Sequence, residues 1–407
     1  MARTLFTGGS IFDGTGSPLG EADVLVEDGR ILDVGSGLDG DDAVDVRGRT
    51  LLPGLFDCHT HVFFEHRETL DDAYAAELPF SYRFYQAERH LQATLRQGIT
   101  TIRDAAGADL GIKRAVEDGL IAGPRMQIAI TMLSQTGGHG DHWMPCGGVF
   151  PRNPPHPGRP SGIVDGVDQV LRKVRELIRD GADVIKVATS GGALSPTDDP
   201  SGRQFSDKEL EVIVREAAAA NRYAMAHAQG TGGIKAAVRA GVRSVEHGTF
   251  IDDEGIALML ERGTWLVPTL SAPHGLLDAA AEGVPVPGYA VAKTKEMMEV
   301  HREAFRRALE AGVRIAMGTD SGVARHGRNL RELALMAECG MTATAALVSA
   351  SSAAAQLMGL DRELGSLEPG KRADLVVVDG DPFDFATLGQ RIVAVYKDGG
   401  LVHGGVD

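Results

Sequence analysis

Residues 57 to 61 read Asp-Cys-His-Thr-His and close the apolar run Leu-Leu-Pro-Gly-Leu-Phe. On a β-strand, residues two apart face the same way, so His59 and His61 can turn two imidazoles toward one metal ion. A lone His-x-His is more often two unrelated histidines. The balance changes downstream, where four more residues of ligand type each follow a short apolar run: Lys186 in Asp-Val-Ile-Lys-Val, His227 in Ala-Met-Ala-His-Ala, His247 in Ser-Val-Glu-His-Gly and Asp320 in Ile-Ala-Met-Gly-Thr-Asp. Such a set suits hydrolysis, because a bound metal lowers the pKa of water from about 15.7 to about 7, and two ions roughly 3.5 to 4 Å apart also polarise a carbonyl. The histidines and Asp320 supply no shared bridging ligand. Lys186 as an ammonium is a poor ligand and would repel cations unless modified.

These residues must be positioned by strands. From about residue 55 to 358, short apolar segments alternate with amphipathic stretches of helical length, the pattern of βα units around a parallel sheet. The candidate strands are Leu55 to Val62, Thr100 to Asp104, Met126 to Ile130, Val184 to Ala188, Ala224 to Ala228, Ser244 to His247, Trp265 to Thr269 and Arg314 to Gly318. Eight strands close a (β/α)8 TIM barrel, and the ligand-type residues then fall at carboxyl ends, where barrel active sites are built. Helices are expected at Asp207 to Ala220 and Lys293 to Ala311. Two loops are long, Thr131 to Ser161 and Ser271 to about Ala292, and both are expected to be ordered pocket walls. The termini read differently. Short glycine-punctuated strands at Thr4 to Phe6, Ser10 to Phe12, Ala22 to Val26, Arg30 to Val34 and Ala43 to Val46 predict an antiparallel β-module, and Ala373 to Asp379, Ile392 to Lys397 and Gly400 to His403 repeat the style. The division expected is a small β-sandwich domain from residues 1–54 and 359–407, with the catalytic barrel between, residues 55–358.

A formal charge of -15 argues against nucleic acid or an anionic membrane as partner. No segment approaches about 20 uninterrupted apolar residues, and the first residues lack a secretory apolar region, so a cytoplasmic location is expected. A small-molecule substrate and assembly into a homo-oligomer complete the expectation. Cys58, Cys146 and Cys339 are too scattered for a disulfide framework or a cysteine zinc site.

The motifs Phe-Asp-Cys-His-Thr-His, Ile-Lys-Val-Ala-Thr-Ser-Gly-Gly, the two later histidines and Gly-Thr-Asp-Ser together resemble the amidohydrolase superfamily, in its imidazolonepropionase-like and prolidase-like (Xaa-Pro dipeptidase-related) branch. The terminal segments resemble the same family's β-sandwich. The resemblance implies a Lys186 carboxylated by CO2 and bridging two divalent ions. His59, His61 and Asp320 would complete the more buried site, and His227 and His247 the other. Zinc suits imidazole and carboxylate ligands, with manganese or cobalt as alternatives. Attack would come from a metal-bridging hydroxide, with Asp320 moving its proton to the leaving amine. The lysine argues against the superfamily's deaminases. His139 resembles a histidine that faces the substrate carbonyl or carboxylate; Gln229 stands where many relatives carry tyrosine, and Arg203 is an alternative carboxylate contact. His142, His274 and Arg325 are further candidates at the pocket rim. The expected reaction is hydrolysis of an amide-type C-N bond in a dipeptide, N-acyl amino acid or related carboxylate-bearing amide. The alternatives are a cyclic amide, or a neutral amide, carbamate or lactone; a scaffold that has lost its metals is the non-enzymatic alternative.

Overall fold

The alternating segments at the two ends of the chain pair with each other. The computed structural model describes residues 2–143, 147–148, 154–192 and 199–406. Thr4–Thr7, Asp23–Glu27, Arg30–Gly35 and Asp42–Asp45 form a four-stranded sheet, while Ser10–Ile11, Gly20–Glu21 and Arg49–Pro53 join Leu375–Asp379, Ile392–Lys397 and Gly400–Gly404 in a six-stranded one. The expected antiparallel pattern is corrected in two places. Thr4–Thr7 runs parallel to Asp42–Asp45, and Ser10–Ile11 parallel to Arg49–Pro53. Leu375 and Val377 enter a core with Phe6, Val24, Leu51 and Tyr396, whereas Val376 and Val378 pack into the main core, as alternation along a strand requires. One strand therefore serves both.

Between the terminal segments the chain is α/β, with two sheets in which every described pairing is parallel. Arg125–Ile128, Ile99–Asp104 and Leu55–Thr60 form one, and Met132–Leu133, Val184–Ala188, Tyr223–Ala228, Ser244–His247 and Trp265–Val267 the other. Parallel strands covered on both faces read as near-continuous apolar runs, and Leu55–Thr60, Ile99–Asp104 and Val184–Ala188 are buried at every position. The expected strand at Arg314 to Gly318 forms no regular ladder. Its segment is nonetheless bonded on both sides: Leu266 N donates to Arg314 O and Ala316 N to Leu266 O, while Cys58 N donates to Met317 O.

Helices fill the connections. Val167–Arg179 buries Val170, Val174 and Leu177, the i, i+4, i+7 stripe of a helix lying on a sheet. Asp207–Ala219 starts with a capping box between Ser206 and Glu209, and Gly288–Glu310 extends further upstream than expected. The second long loop is corrected outright, because Ser271–Ala281 is a helix. Its sequence carries no side-chain cap of its own; the buried Glu332 caps it from a distance, accepting from Leu270 N at 2.8 Å and Ser271 N at 2.7 Å. Part of the Thr131 to Ser161 loop, with Cys146, lies outside the described residues. No helix among the described residues is long and apolar enough to cross a membrane.

Gly54 sits at the junction of terminal sheet and parallel strands, its N–H on Asp374 O at 2.7 Å. A methyl there would fall 2.8 Å from Asp374 Cβ and onto the Thr100 hydroxyl, so neither neighbour can yield cheaply. Gly54→Ala should lower unfolding free energy by about 1–3 kcal/mol in urea denaturation. Gly35→Ala, which meets nothing within 4 Å, should stay within about 0.5 kcal/mol. Equal stability for the two variants would contradict this packing.

Candidate active site

Four residues that are not glycine take positive φ at or just beyond the carboxyl ends of the parallel strands or the Arg314 to Gly318 segment: Ile130 at 66°, His247 at 71°, Thr269 at 53° and Asp320 at 58°. Each such residue costs of order 1–3 kcal/mol and persists only where its surroundings over-determine it. Around Asp320 the surroundings are explicit. Asp57, wholly buried, accepts from Thr319 N, Thr319 Oγ1, Asn329 Nδ2 and His59 N at 2.7 to 3.1 Å, and Asp320 N donates to His59 O at 2.8 Å. The turn bearing Asp320 is thereby locked to the strand bearing His59 and His61. His247 is held by His301, which bonds its carbonyl oxygen at 2.9 Å, and by a 2.6 Å contact between its Nδ1 and Thr269 Oγ1.

His59 and His61 both aim Nε2 at Asp320 Oδ1, at 3.5 and 3.1 Å, and the donor atoms of the three residues lie within 4.8 Å of one another. The far side of each ring is engaged. His61 Nδ1 donates to Ala106 O at 2.8 Å, and His59 Nδ1 meets Glu246 Oε2 at 2.8 Å. With Nδ1 carrying the proton, each neutral ring turns a lone pair toward a carboxylate, an arrangement that calls for a proton or a cation between them. Burial pulls the His61 pKa down, but Asp320 more than offsets it and the balance is upward. Burial likewise opposes ionisation of Asp320, yet the His61 hydrogen bond and the His59, His61 and Lys186 charges hold its pKa at about 2.

Around this trio stand the remaining candidates. Burial keeps His59, His227 and His247 well below the ordinary histidine pKa, so each offers its one unprotonated nitrogen as a neutral ligand. The His247 ring is 4.6 Å from that of His227 and 5.2 Å from that of His59, and His139 stacks on His227 at 4.2 Å. Lys186 is 1% exposed and its Nζ has no hydrogen-bond partner among the described residues; burial brings its pKa down to about 8. A partnerless buried amine beside neutral imidazoles and an ionised carboxylate is a donor set that divalent cations would complete. Gln229 is buried, its N–H on Ser190 Oγ at 2.8 Å and its Oε1 without a hydrogen-bond partner among the described residues. Arg203 does not join the cluster, since its guanidinium pairs with Asp207 at the surface. Arg325 pairs with Glu282 and His274 meets Arg331, so neither is drawn in. His142 is half-buried on the loop that carries His139.

Two functional residues not singled out from the sequence are Arg103 and Glu246, which bond the strand bearing His59. Arg103 is fully buried and donates to Glu246 Oε1 at 2.9 Å, Cys58 O at 2.7 Å and Ser244 Oγ at 3.1 Å. Glu246 turns its other oxygen to His59. The available signal was charge inside a strand: Arg103 and Asp104 in Ile-Thr-Thr-Ile-Arg-Asp, and Glu246 in Ser-Val-Glu-His.

A family model described as "Amidohydrolase family" matches residues 50–403. The ochratoxinase of Aspergillus niger is 36% identical over 426 residues, covering 98% of this chain and 87% of the relative. A solved Xaa-Pro dipeptidase with methionine bound in its active site superimposes with a TM-score of 0.88 at 33% identity, covering 99% of this chain and 100% of the other. A solved prolidase complexed with N-methylphosphonate-L-proline gives a TM-score of 0.89 at 36% identity, over 98% and 99% of the two chains.

Removing Glu246 strands Arg103 as a buried, unneutralised cation, which costs about 3–5 kcal/mol. Glu246→Ala should lose that much stability in urea denaturation, and the double variant Arg103→Leu/Glu246→Leu should regain part of it. Additive losses in the double variant would mean that the two residues act independently.

Proposed function

The chain belongs to the amidohydrolase family, and from that premise we propose that it is a metal-dependent hydrolase cleaving an amide C-N bond next to a free carboxylate. The observation that carries this reading is the convergence of His59 and His61 Nε2 on Asp320 Oδ1, beside the partnerless amine of Lys186. His59, His61 and Asp320 would hold one divalent ion and His227 and His247 a second, zinc being the best match to these donors, with manganese or cobalt also compatible. When bound, the ions supply a water activated at neutral pH and polarise the scissile carbonyl. Lys186 would bridge after its neutral amine adds to CO2 and releases a proton, exchanging a buried cation for an anion. Asp320 takes the proton of the attacking water and delivers it to the leaving nitrogen. We read the parallel strands and the Arg314 to Gly318 segment as one closed (β/α)8 barrel, residues 55–358, flanked by a β-sandwich from residues 1–54 and 359–407; the bonds from that segment to both neighbouring strands support closure.

His139, stacked on His227, is the substrate contact we favour, with Gln229 beside it. The relatives support a carboxylate-bearing substrate, because methionine and the proline of the phosphonate both present an amino-acid carboxylate. A second reading, a neutral amide, rests on Gln229, an uncharged group with a free acceptor, and on Arg203 being engaged at the surface.

The metal-replete protein should contain near two equivalents of divalent ion per chain by elemental analysis. Activity should vanish with a chelator and return with zinc or manganese; full activity in metal-free protein ends the proposal. Lys186→Ala should lose metal and activity together, and Lys186→Arg should not restore them, because a guanidinium stays cationic. A screen of dipeptides, N-acyl amino acids and neutral amides decides the substrate. On the best carboxylate substrate, His139→Ala should lower kcat/KM by more than about tenfold, or about 1.4 kcal/mol. A preference for neutral amides, with His139→Ala harmless, selects the second reading.

A further inference from the structure

The imidazole of His139 lies against that of His227 with ring planes 17° from parallel. The backbone of Gly192 also lies against this ring. A methyl on Gly192 would sit 2.7 Å from His139 Nδ1 and 2.9 Å from Nε2, and closer still to Cε1, inside the 3.0 Å that Cβ contacts essentially never reach. The ring occupies a slot that exists because residue 192 has no side chain. Conformational freedom does not explain this glycine, since the positive-φ glycines of the chain do not include Gly191 or Gly192.

Neither wall can readily yield. His139 N donates to Gln204 Oε1 at 3.1 Å, and Gly140 N to Ser134 Oγ at 2.9 Å, so the main chain on both sides of the ring is pinned. On the Gly192 side, Gly191 O accepts from His227 Nε2 at 3.1 Å and Gly191 N donates to Gly202 O at 3.3 Å. A side chain at position 192 must therefore rotate the His139 ring out of its slot.

We infer that Gly192 is a positioning residue: its bare backbone sets the His139 ring against His227 and so fixes where His139 meets the substrate. The inference rests on His139 being a substrate contact. Displacing such a group by an ångström costs about ten- to a hundredfold.

Four metal-loaded proteins decide it: wild type, Gly192→Ala, His139→Ala and the double variant, assayed on Met-Pro and N-acetyl-L-methionine with metal content measured in parallel. Gly192→Ala should lower kcat/KM by at least about tenfold at unchanged metal content. In the His139→Ala background, where the ring is gone, the same methyl should cost less than about twofold. A Gly192→Ala single variant that fails to fold beside a soluble double variant reads the same clash. Equal losses in both backgrounds, wild-type activity of Gly192→Ala, or failure of both variants to fold overturns the inference. If the probes are inert but p-nitroacetanilide is hydrolysed, the carboxylate reading fails, and the same four proteins assayed on that amide still decide Gly192. A crystal structure of Gly192→Ala is the readout besides activity: the ring should leave His227, and a ring still stacked there sinks the idea.

Discussion

The buried ion pair between Arg103 and Glu246 is the constraint on which the site depends. It joins three strands far apart in sequence, because Arg103 also bonds the carbonyl of Cys58 and Glu246 reaches His59. At 2.9 Å and an effective dielectric near 20, the attraction is about 6 kcal/mol. Removing two ions from water costs several kcal/mol each, so attraction and desolvation roughly cancel. What the pair contributes is direction. A carboxylate that must face Arg103 on one side presents its second oxygen to one ring nitrogen of His59, which fixes the tautomer and leaves Nε2 aimed at Asp320.

The same logic accounts for strain at the strand ends. His247 and Asp320 hold positive φ in a fold that could have spent glycine there, as it does at many other turns. Both are residues whose side chains carry the proposed chemistry, so glycine would remove the function with the strain. The cost, of order 1–3 kcal/mol at each position, is offset by fixed partners: the four donors around Asp57 for one, His301 and Thr269 for the other. Asp57 and Asn329 lie outside the turn of Asp320, and His301 and Thr269 outside the strand of His247, so each strained turn is a product of the assembled fold.

That dependence explains what could be read in the sequence. His59 and His61 were legible because strand alternation is local, and Lys186 because a lysine inside Val-Ile-Lys-Val-Ala has no apolar explanation. Helix Asp207–Ala219 is set by residues near in sequence, its capping box closing within four residues. Helix Ser271–Ala281 is not, since its cap, Glu332, arrives from 61 residues away. Arg103 and Glu246 are separated by 143 residues, and nothing local says that two buried charges will meet. The direction taken by Arg203 was equally hidden. A loop arginine goes where a carboxylate waits, and Asp207 stands at the start of the next helix. Parallel pairing between Thr4–Thr7 and Asp42–Asp45 escaped for a related reason, because alternation gives the buried face and leaves strand direction open.

Charge balance at the centre gives the lysine a reason to be where it is. Arg103 and Glu246 neutralise each other, and Lys186 as an ammonium would neutralise Asp320, so the four groups by themselves form an electrically quiet core. Two divalent cations would break that balance by four positive charges in a region where burial keeps His59, His227 and His247 neutral. Under the proposed function, conversion of the lysine from ammonium to an anionic carbamate would lower the protein's own charge there by two units. The reaction requires an amine that can lose its proton. Burial of Lys186 away from any hydrogen-bond partner supplies that condition, by the same desolvation that would make a permanent ammonium costly. In this reading the lysine is adapted to the metals through its emptiness of partners, just as His139 is adapted to its slot through the absence of a side chain at Gly192.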